Sequence, residues 1–197
     1  MSFFKKLFSG KLETPKEKSI KKQEVHLSID DLFVHNFINK GGKFLYCTTV
    51  EEITNNLIGI LDENNWNAIT CLNEDKLSKF TDSLSIEIDY SINSQNPIFT
   101  TCEHLISDAG SILFSSNQLK EKKLNELSTH FIVFAKTSQL VKDMGEGLTG
   151  IKNTYNKNIP TNISAIRSFS LESDEENFVS TSNSNSKNLY LLLFEDL

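Results

Sequence analysis

Apolar residues in this chain come in short runs, and most of these runs have the length of a β-strand. The runs are rich in Ile, Leu, Val, Phe and Tyr and are bounded by polar residues. This pattern predicts strands at residues 43–48, 66–72, 85–89, 102–107, 112–116, 130–135, 162–168 and 189–194. The last run is apolar without interruption, which is typical of a strand that is covered on both faces.

Helical patterns separate several of these runs. Capping residues followed by apolar positions at helical spacing predict a helix that begins at Ser28 and stops at residues 39–42, and another that begins at Thr49. Shorter helices are predicted at residues 74–80 and 117–127. The alternation of strands and helices implies the α/β class, with a mostly parallel sheet flanked by helices.

A longer helix is predicted after the strand at residues 130–135. Thr137 and Ser138 are suited to cap it, and its apolar stripe recurs at spacings of 4, 4, 3 and 4: Leu140, Met144, Leu148, Ile151 and Tyr155. Three glycines also fall within the pattern: Gly145, Gly147 and Gly150. They leave two interpretations open, because glycine in a helix indicates either close backbone packing or a helix that ends early.

A tight turn is predicted between the strands at residues 102–107 and 112–116. Asp108 is suited to bond the backbone of its own turn, and Gly110 can take a positive φ without steric cost. Asp108, Gly110 and Ser111 therefore place a carboxylate and a hydroxyl at a turn between strands, where α/β proteins often contact ligands. The alternative is that Asp108 only satisfies the backbone of the turn.

Charge divides the chain into two parts. Residues 1–24 hold seven lysines and three acidic residues, although the whole chain carries a net charge of −6. We predict a basic, flexible tail at residues 1–27 and one domain at residues 28–197, with an exposed Ser/Asn-rich loop at 173–188. An alternative for the tail is a short amphipathic helix on a membrane surface or a partner, formed by Phe3, Phe4, Leu7 and Phe8.

Composition excludes several classes of function. An acidic body and a single arginine, Arg167, argue against nucleic-acid binding. No apolar run approaches the roughly 20 residues of a membrane-spanning helix, and no secretion signal is evident, so a cytoplasmic protein is expected. The three cysteines are widely spaced and lie in apolar runs, which predicts buried, reduced thiols. The histidines lack metal-ligand spacing, so no metal and no cofactor is expected.

Three segments together resemble a known family. They are Ile106-Ser107-Asp108-Ala109-Gly110-Ser111-Ile112-Leu113-Phe114-Ser115-Ser116, His130-Phe131-Ile132-Val133-Phe134-Ala135 and Thr137-Ser138-Gln139-Leu140-Val141. Their order and spacing resemble the LUD (lactate utilisation) domain, as in proteins of the LutC/YkgG type. The resemblance implies a fold similar to the ribose-phosphate isomerase and CoA-transferase group. It also implies a role near the oxidation of lactate to pyruvate, with protein partners that carry iron–sulfur clusters and flavin.

The chain also departs from the pattern of that family. Family members usually carry an acid-Thr-Gly-Thr turn, whereas this chain has Asp108-Ala109-Gly110-Ser111. A Gly-Pro-Ser-Arg-Thr-like stretch and a Gly-His-Gly-Pro-like stretch are replaced by residues 167–170 and 182–186. Such loops hold phosphate or carboxylate. Two hypotheses follow. The first is a cytoplasmic subunit or accessory protein of lactate or organic-acid utilisation that binds a small anionic ligand. The second is a non-catalytic binding or regulatory module that kept the fold and lost the active site.

The remaining candidate residues flank the strand at 130–135. Thr137, Ser138 and Gln139 offer hydroxyls and N–H groups to an anion, although capping alone explains them equally well. His130 is a candidate acid or base, with a structural histidine as the alternative. Cys102 and His104 share a strand face but form no complete nucleophilic set. The chain is therefore expected not to act as a stand-alone enzyme.

Overall fold

The computed structural model describes residues 27–92, 95–169 and 186–196. Its strands are β1 Lys43–Cys47, β2 Ala68–Cys71, β3 Glu87–Asp89, β4 Ile98–Thr101, β5 His104–Ile106, β6 Ser111–Phe114, β7 His130–Lys136, β8 Leu140–Val141, β9 Ser164–Ile166 and β10 Asn188–Phe194. Its α-helices are α1 Ile29–Asn39, α2 Val50–Glu63, α3 Glu74–Thr81, α4 Ser116–Leu119 and α5 Met144–Tyr155. The tail predicted at residues 1–27 and the loop predicted at 173–188 lie almost wholly outside the described residues.

Six strands form one parallel sheet in the order β1-β10-β7-β4-β2-β3. Each adjacent pair is parallel, including the two pairs that β10 makes with β1 and β7. The uninterrupted apolar sequence of β10 fits its position, because both of its faces are covered and its middle five residues are buried. The predicted α/β class, with a mostly parallel sheet flanked by helices, is confirmed.

The two faces of this sheet are covered by different structures. One core joins α2 and α3 to alternate residues of the strands, among them Ile132 of β7 and Leu192 of β10. The other core joins α1 and a second sheet to the intervening residues, such as Val133 and Leu191. The alternation of side chains along each strand thus serves two cores at once.

The second sheet has four strands in the order β8-β5-β6-β9. β5 and β6 are antiparallel neighbours joined by the predicted tight turn, in which Gly110 has a φ of +51°. A Cβ built at Gly110 would lie 2.5 Å from the backbone carbonyl carbon of Asn36 in α1. The turn therefore needs glycine both for its dihedral angle and for the close approach of α1.

The helix predicted from Thr137 onward is wrong in its first part. Residues Thr137–Gln139 form a single 3-10 turn, and β8 then pairs in parallel with β5. The helix begins at Met144, where the Asp143 side chain accepts a hydrogen bond of 2.9 Å from the Glu146 N–H. Leu140 fits the helical stripe in sequence, but pairing with β5 overrides that local pattern.

The glycines of α5 mark close packing. A Cβ on Gly147 would lie 2.9 Å from Ile106, and one on Gly150 would lie 2.7 Å from the His104 ring. These contacts support the first of the two interpretations of the glycine pattern. Because these two glycines have no side chain, α5 lies close against β5.

One strand is absent from the sequence prediction, and one predicted helix is shorter than expected. The four residues of β4 are all buried, but the pair Thr100-Thr101 hides the apolar character of this strand in the sequence. The helix predicted at residues 117–127 is limited to the single turn of α4 and a 3-10 turn at Leu124–Glu126. Lys120 ends α4 with a φ of +56°.

The cysteine prediction is confirmed, since Cys47, Cys71 and Cys102 are buried and form no disulfide. Among the helices in the described part of the chain, none combines the length and the apolar character that a membrane crossing requires.

Candidate functional site

The chain leaves β2 and β4 in opposite directions, although these strands are neighbours in the parallel sheet. After β2 it enters α3, which packs on one face, and after β4 it enters β5, which packs on the other. Open α/β sheets bind ligands in the crevice outside the carboxyl ends of the strands, at this kind of switch point. We refer to this place as the β2–β4 crevice.

Asn73 joins the two strand ends at the crevice. Its Oδ1 accepts hydrogen bonds from the Thr100 hydroxyl at 2.7 Å and from the Thr101 hydroxyl and N–H at 3.1 Å each. Its Nδ2 donates to the carbonyl oxygen of Asn117 at 3.0 Å. Asn73 directly precedes α3, but its side chain makes no capping hydrogen bond to this helix. The side chain therefore connects the two strand ends instead of capping α3.

Glu103 places a buried carboxylate at the same crevice. Its Oε1 accepts hydrogen bonds from Ser115 Oγ at 2.6 Å, Asn117 Nδ2 at 3.1 Å and Gln118 Nε2 at 3.0 Å. These three donors come from the start of α4, where Ser115 and Gln118 also form a capping box. No cation appears among these partners, so neutral donors alone compensate the charge of one carboxylate oxygen.

The second oxygen of Glu103 is less occupied. Oε2 accepts a hydrogen bond from the Tyr155 hydroxyl at 3.1 Å, and the structure shows no further donor to it in the described part of the chain. Desolvation, followed by the charge of Glu103 and the hydrogen bond to it, raises the pKa of Tyr155. Oε2 therefore has capacity to accept another hydrogen bond, such as one from a ligand hydroxyl.

A lysine stands near the crevice. Lys76 is exposed in α3. Burial raises the pKa of the Cys102 thiol, and the positive charge of Lys76 opposes this rise without cancelling it. Lys76 lies in the first turn of α3, three residues after Asn73, and therefore supplies positive charge at the carboxyl edge of the sheet. This edge of the sheet thus combines the Glu103 carboxylate, hydroxyls, amides and the exposed Lys76, with two further exposed carboxylates, Glu74 and Asp75, in the same turn as Lys76.

The predicted turn residues do not open into the crevice. Asp108 is exposed, its N–H donates to the Lys142 carbonyl oxygen at 3.0 Å, and its own carbonyl oxygen accepts from Asn36 Nδ2 at 3.1 Å. Gly110 is buried against Asn36, and Ser111 is fully buried with no hydrogen-bond partner for its hydroxyl among the described residues. Here α1 covers the turn, and of the three predicted residues only Asp108 is exposed.

Thr137 and Ser138 lie at the carboxyl end of β7, where they bind a carboxylate of the chain itself. Asp196, which follows β10, accepts from Thr137 Oγ1 at 3.0 Å, Ser138 N at 3.0 Å and Ser138 Oγ at 2.8 Å, and Lys136 Nζ lies 3.3 Å away. Desolvation opposes these bonds, but together they lower the pKa of Asp196 to about 2. The predicted anion-binding groups thus hold an internal anion.

The other two predicted site residues lie apart from each other. Gln139 Nε2 donates to the carbonyl oxygens of Cys102 at 2.7 Å and Glu103 at 3.1 Å, so it supports the backbone of the crevice. His130 is the first residue of β7, so the length of this strand places it about 20 Å from Thr137, at the amino edge of the sheet. Burial and the charge of Lys43 lower its pKa. His130 lies at the opposite edge from the crevice.

Cys102 and His104 do not form a reactive pair. Cys102 is buried with a raised pKa, and His104 instead contacts the Gln139 carbonyl oxygen at 3.4 Å through Nδ1. The residues that the sequence prediction missed, Asn73 and Glu103, each follow a strand by two residues. Their position after a strand end is a usable signal, but only when β4 is recognised as a strand.

The fold is that of an α/β protein with a parallel sheet, and the candidate site lies at the carboxyl edge of that sheet. The sequence profile of the LUD domain matches residues 21–194, and the chain therefore belongs to the LUD domain family. No curated protein matches the sequence.

A solved structure is similar in fold. It is that of a DUF162 family protein from Deinococcus radiodurans, determined at 1.70 Å resolution. The TM-score is 0.60 at 10% sequence identity, and the match covers 86% of this chain and 99% of that one. The resemblance seen in the sequence is confirmed, and this structural neighbour supports the fold.

Proposed function

We propose that this chain is a cytoplasmic accessory component of lactate or related organic-acid utilisation that binds a small hydroxy acid in the β2–β4 crevice. Membership of the LUD domain family supports a role related to lactate utilisation in general terms. The observation that carries the finer proposal is the buried Glu103 carboxylate, whose Oε2 retains capacity to accept a hydrogen bond at the switch point of the sheet.

The chemistry of the crevice suits a ligand with two functional groups. A ligand hydroxyl donates to Glu103 Oε2, and hydrogen bonds to charged groups are stronger than those between neutral groups. The ligand carboxylate faces Lys76, which is exposed and lies three residues after Asn73. A small 2-hydroxy acid carries both groups on adjacent carbons.

The role we propose is binding within an assembly rather than stand-alone catalysis. Glu103, Ser115 and Tyr155 form a bonded set, but Ser115 is fully buried, which leaves its hydroxyl without access to a substrate. Partners that carry out the oxidation of lactate would then supply the redox chemistry. That such protein partners bind this chain is part of the proposal.

Calorimetric titration with L-lactate, D-lactate and propionate tests the ligand. We expect saturable binding of a lactate enantiomer, and weaker binding of propionate because it lacks the hydroxyl. Glu103→Gln should weaken lactate binding about tenfold, and Lys76→Gln should weaken it a few-fold. Glu63→Gln and Lys157→Gln are exposed controls that should bind as the wild type does. Equal binding by Glu103→Gln, or no binding of any acid, contradicts the proposal.

A second candidate is a binding module that keeps the fold without a ligand. The observation that favours it is Asp196, which fills the hydroxyl and N–H groups of Thr137 and Ser138 with the chain's own carboxylate. This candidate expects that no acid binds to the wild type and that a protein partner co-purifies with it. The titration above therefore decides between the two.

A further inference from the structure

A cavity of about 320 Å3 lies at the carboxyl edge of the sheet, apart from the β2–β4 crevice. It is lined by residues from α1, β1, β8 and the segments that follow β7 and β10: Ile29, Asp30, Tyr46, Thr137, Leu140 and Glu195. Its volume falls at the lower end of the range of small-ligand sites. We call it the β1-side cavity.

The lining of the β1-side cavity is acidic and apolar. Asp30 and Glu195 are carboxylates, and none of the six lining residues is basic. The nearby Lys136 forms its ion pair with Asp196, so its charge is already compensated. The two carboxylates therefore favour a cation over an anion in this cavity, although the amino terminus of α1, where Asp30 lies, offsets part of their charge.

Tyr46 gives the cavity an aromatic wall. The side chain is 49% exposed although it belongs to a strand of the main sheet. Desolvation raises the pKa of Tyr46, and the hydrogen bond to Glu195, the charge of Glu195 and the charge of Asp30 raise it further. The face of a tyrosine ring attracts ammonium and guanidinium groups.

From this arrangement we infer that the β1-side cavity binds an organic cation, in which an ammonium or guanidinium group is carried on a short aliphatic stem. The carboxylates of Asp30 and Glu195 receive the charged group, and the Tyr46 ring covers it. Ile29 and Leu140 contact the stem. This inference is independent of the proposed hydroxy-acid site, since the two sites share no residue.

Titration with n-butylguanidinium and with its uncharged isostere n-butylurea tests the inference. We expect saturable binding of the guanidinium only, weakened by added salt because both carboxylates are exposed. The double variant Asp30→Asn/Glu195→Gln should lose about tenfold in affinity. Glu63→Gln, which lies outside the β1-side cavity, should lose nothing. Equal binding of the two probes, or binding of neither, overturns the inference.

A matched pair of variants tests the aromatic wall. Tyr46→Phe keeps the ring and should bind n-butylguanidinium within about twofold of the wild type, whereas Tyr46→Leu should lose about threefold. Equal affinities in the two variants overturn the role of the ring. A peptide with one central arginine serves as a second probe: tighter binding than n-butylguanidinium identifies a partner's side chain as the source of the cation, and weaker binding identifies a free small molecule.

Discussion

Gly110 and Gly59 show that the structural role of a glycine depends on its position in the fold. Gly110 has a φ of +51°, and a Cβ there would lie 2.5 Å from the Asn36 backbone. Gly59 lies in the interior of α2, and a Cβ there meets nothing within 4 Å. One glycine is required by geometry, whereas the other only lowers the stability of its helix.

The two glycines predict opposite effects of the same substitution. Gly110→Ala should lower the free energy of unfolding by about 3 kcal/mol, because it combines a left-handed backbone with overpacking against α1. Gly59→Ala should raise it by about 0.5–1 kcal/mol through helix propensity. Urea denaturation measures both. A Gly110→Ala variant as stable as the wild type would show that the turn does not need glycine.

At the residue scale, the sequence predicted the chemistry of single groups better than their partners. The acid, glycine and hydroxyl at residues 108–111 do form the expected turn, and Thr137 and Ser138 do bind a carboxylate. The sequence could not show that this carboxylate is Asp196, which lies about 60 residues away. Contacts of such separation depend on the fold and not on any local pattern.

At the scale of elements, Asp196 ties the end of β10 to the end of β7. Four groups from residues Lys136, Thr137 and Ser138 surround its carboxylate, and its own N–H donates to Thr137 Oγ1 at 3.2 Å. These bonds stabilise the ionised form, since the pKa in the folded state is about 2, below the ordinary value of 3.8.

This contact predicts a pH dependence of stability. A lowered pKa contributes stability that is fully present above the unfolded value near 3.8 and is lost as the pH falls toward 2. Wild type should therefore be more stable than Asp196→Asn at pH 6, and the difference should shrink as the pH falls from 4 to 2. Glu63→Gln serves as an exposed control. Urea denaturation at several pH values measures the difference, and a gap that stays constant would contradict the assigned pKa.

Elements with strong patterns were predicted well, and two strands with weak patterns were not. The capping box of Thr49 and Glu52 and the apolar positions of α2 gave that helix correctly. β4 was missed because the Thr100-Thr101 pair hides its apolar character, and β8 because it has only two residues. The omission of β4 mattered most, since the crevice and Glu103 follow directly from its end.

At the scale of the whole molecule, topology explains what local pattern could not. The sequence indicated a parallel sheet and a covered last strand, and both are confirmed by the position of β10 between β1 and β7. The order of the strands decides which loops meet at one edge of the sheet. His130 and Thr137 lie at opposite edges, because the whole length of β7 separates them. It also brings Asn73 and Glu103 to one crevice through Asn117.

Amide chemical-shift mapping during a lactate titration is the sharpest test of whether a small hydroxy acid binds at the β2–β4 crevice. We expect saturable changes centred on Asn73, Thr101, Glu103 and Asn117, with little change at residues 108–111 or at His130. These changes should be much smaller in Glu103→Gln at the same lactate concentration. Saturable changes centred on residues 108–111, or no saturable change anywhere, would contradict binding at the β2–β4 crevice.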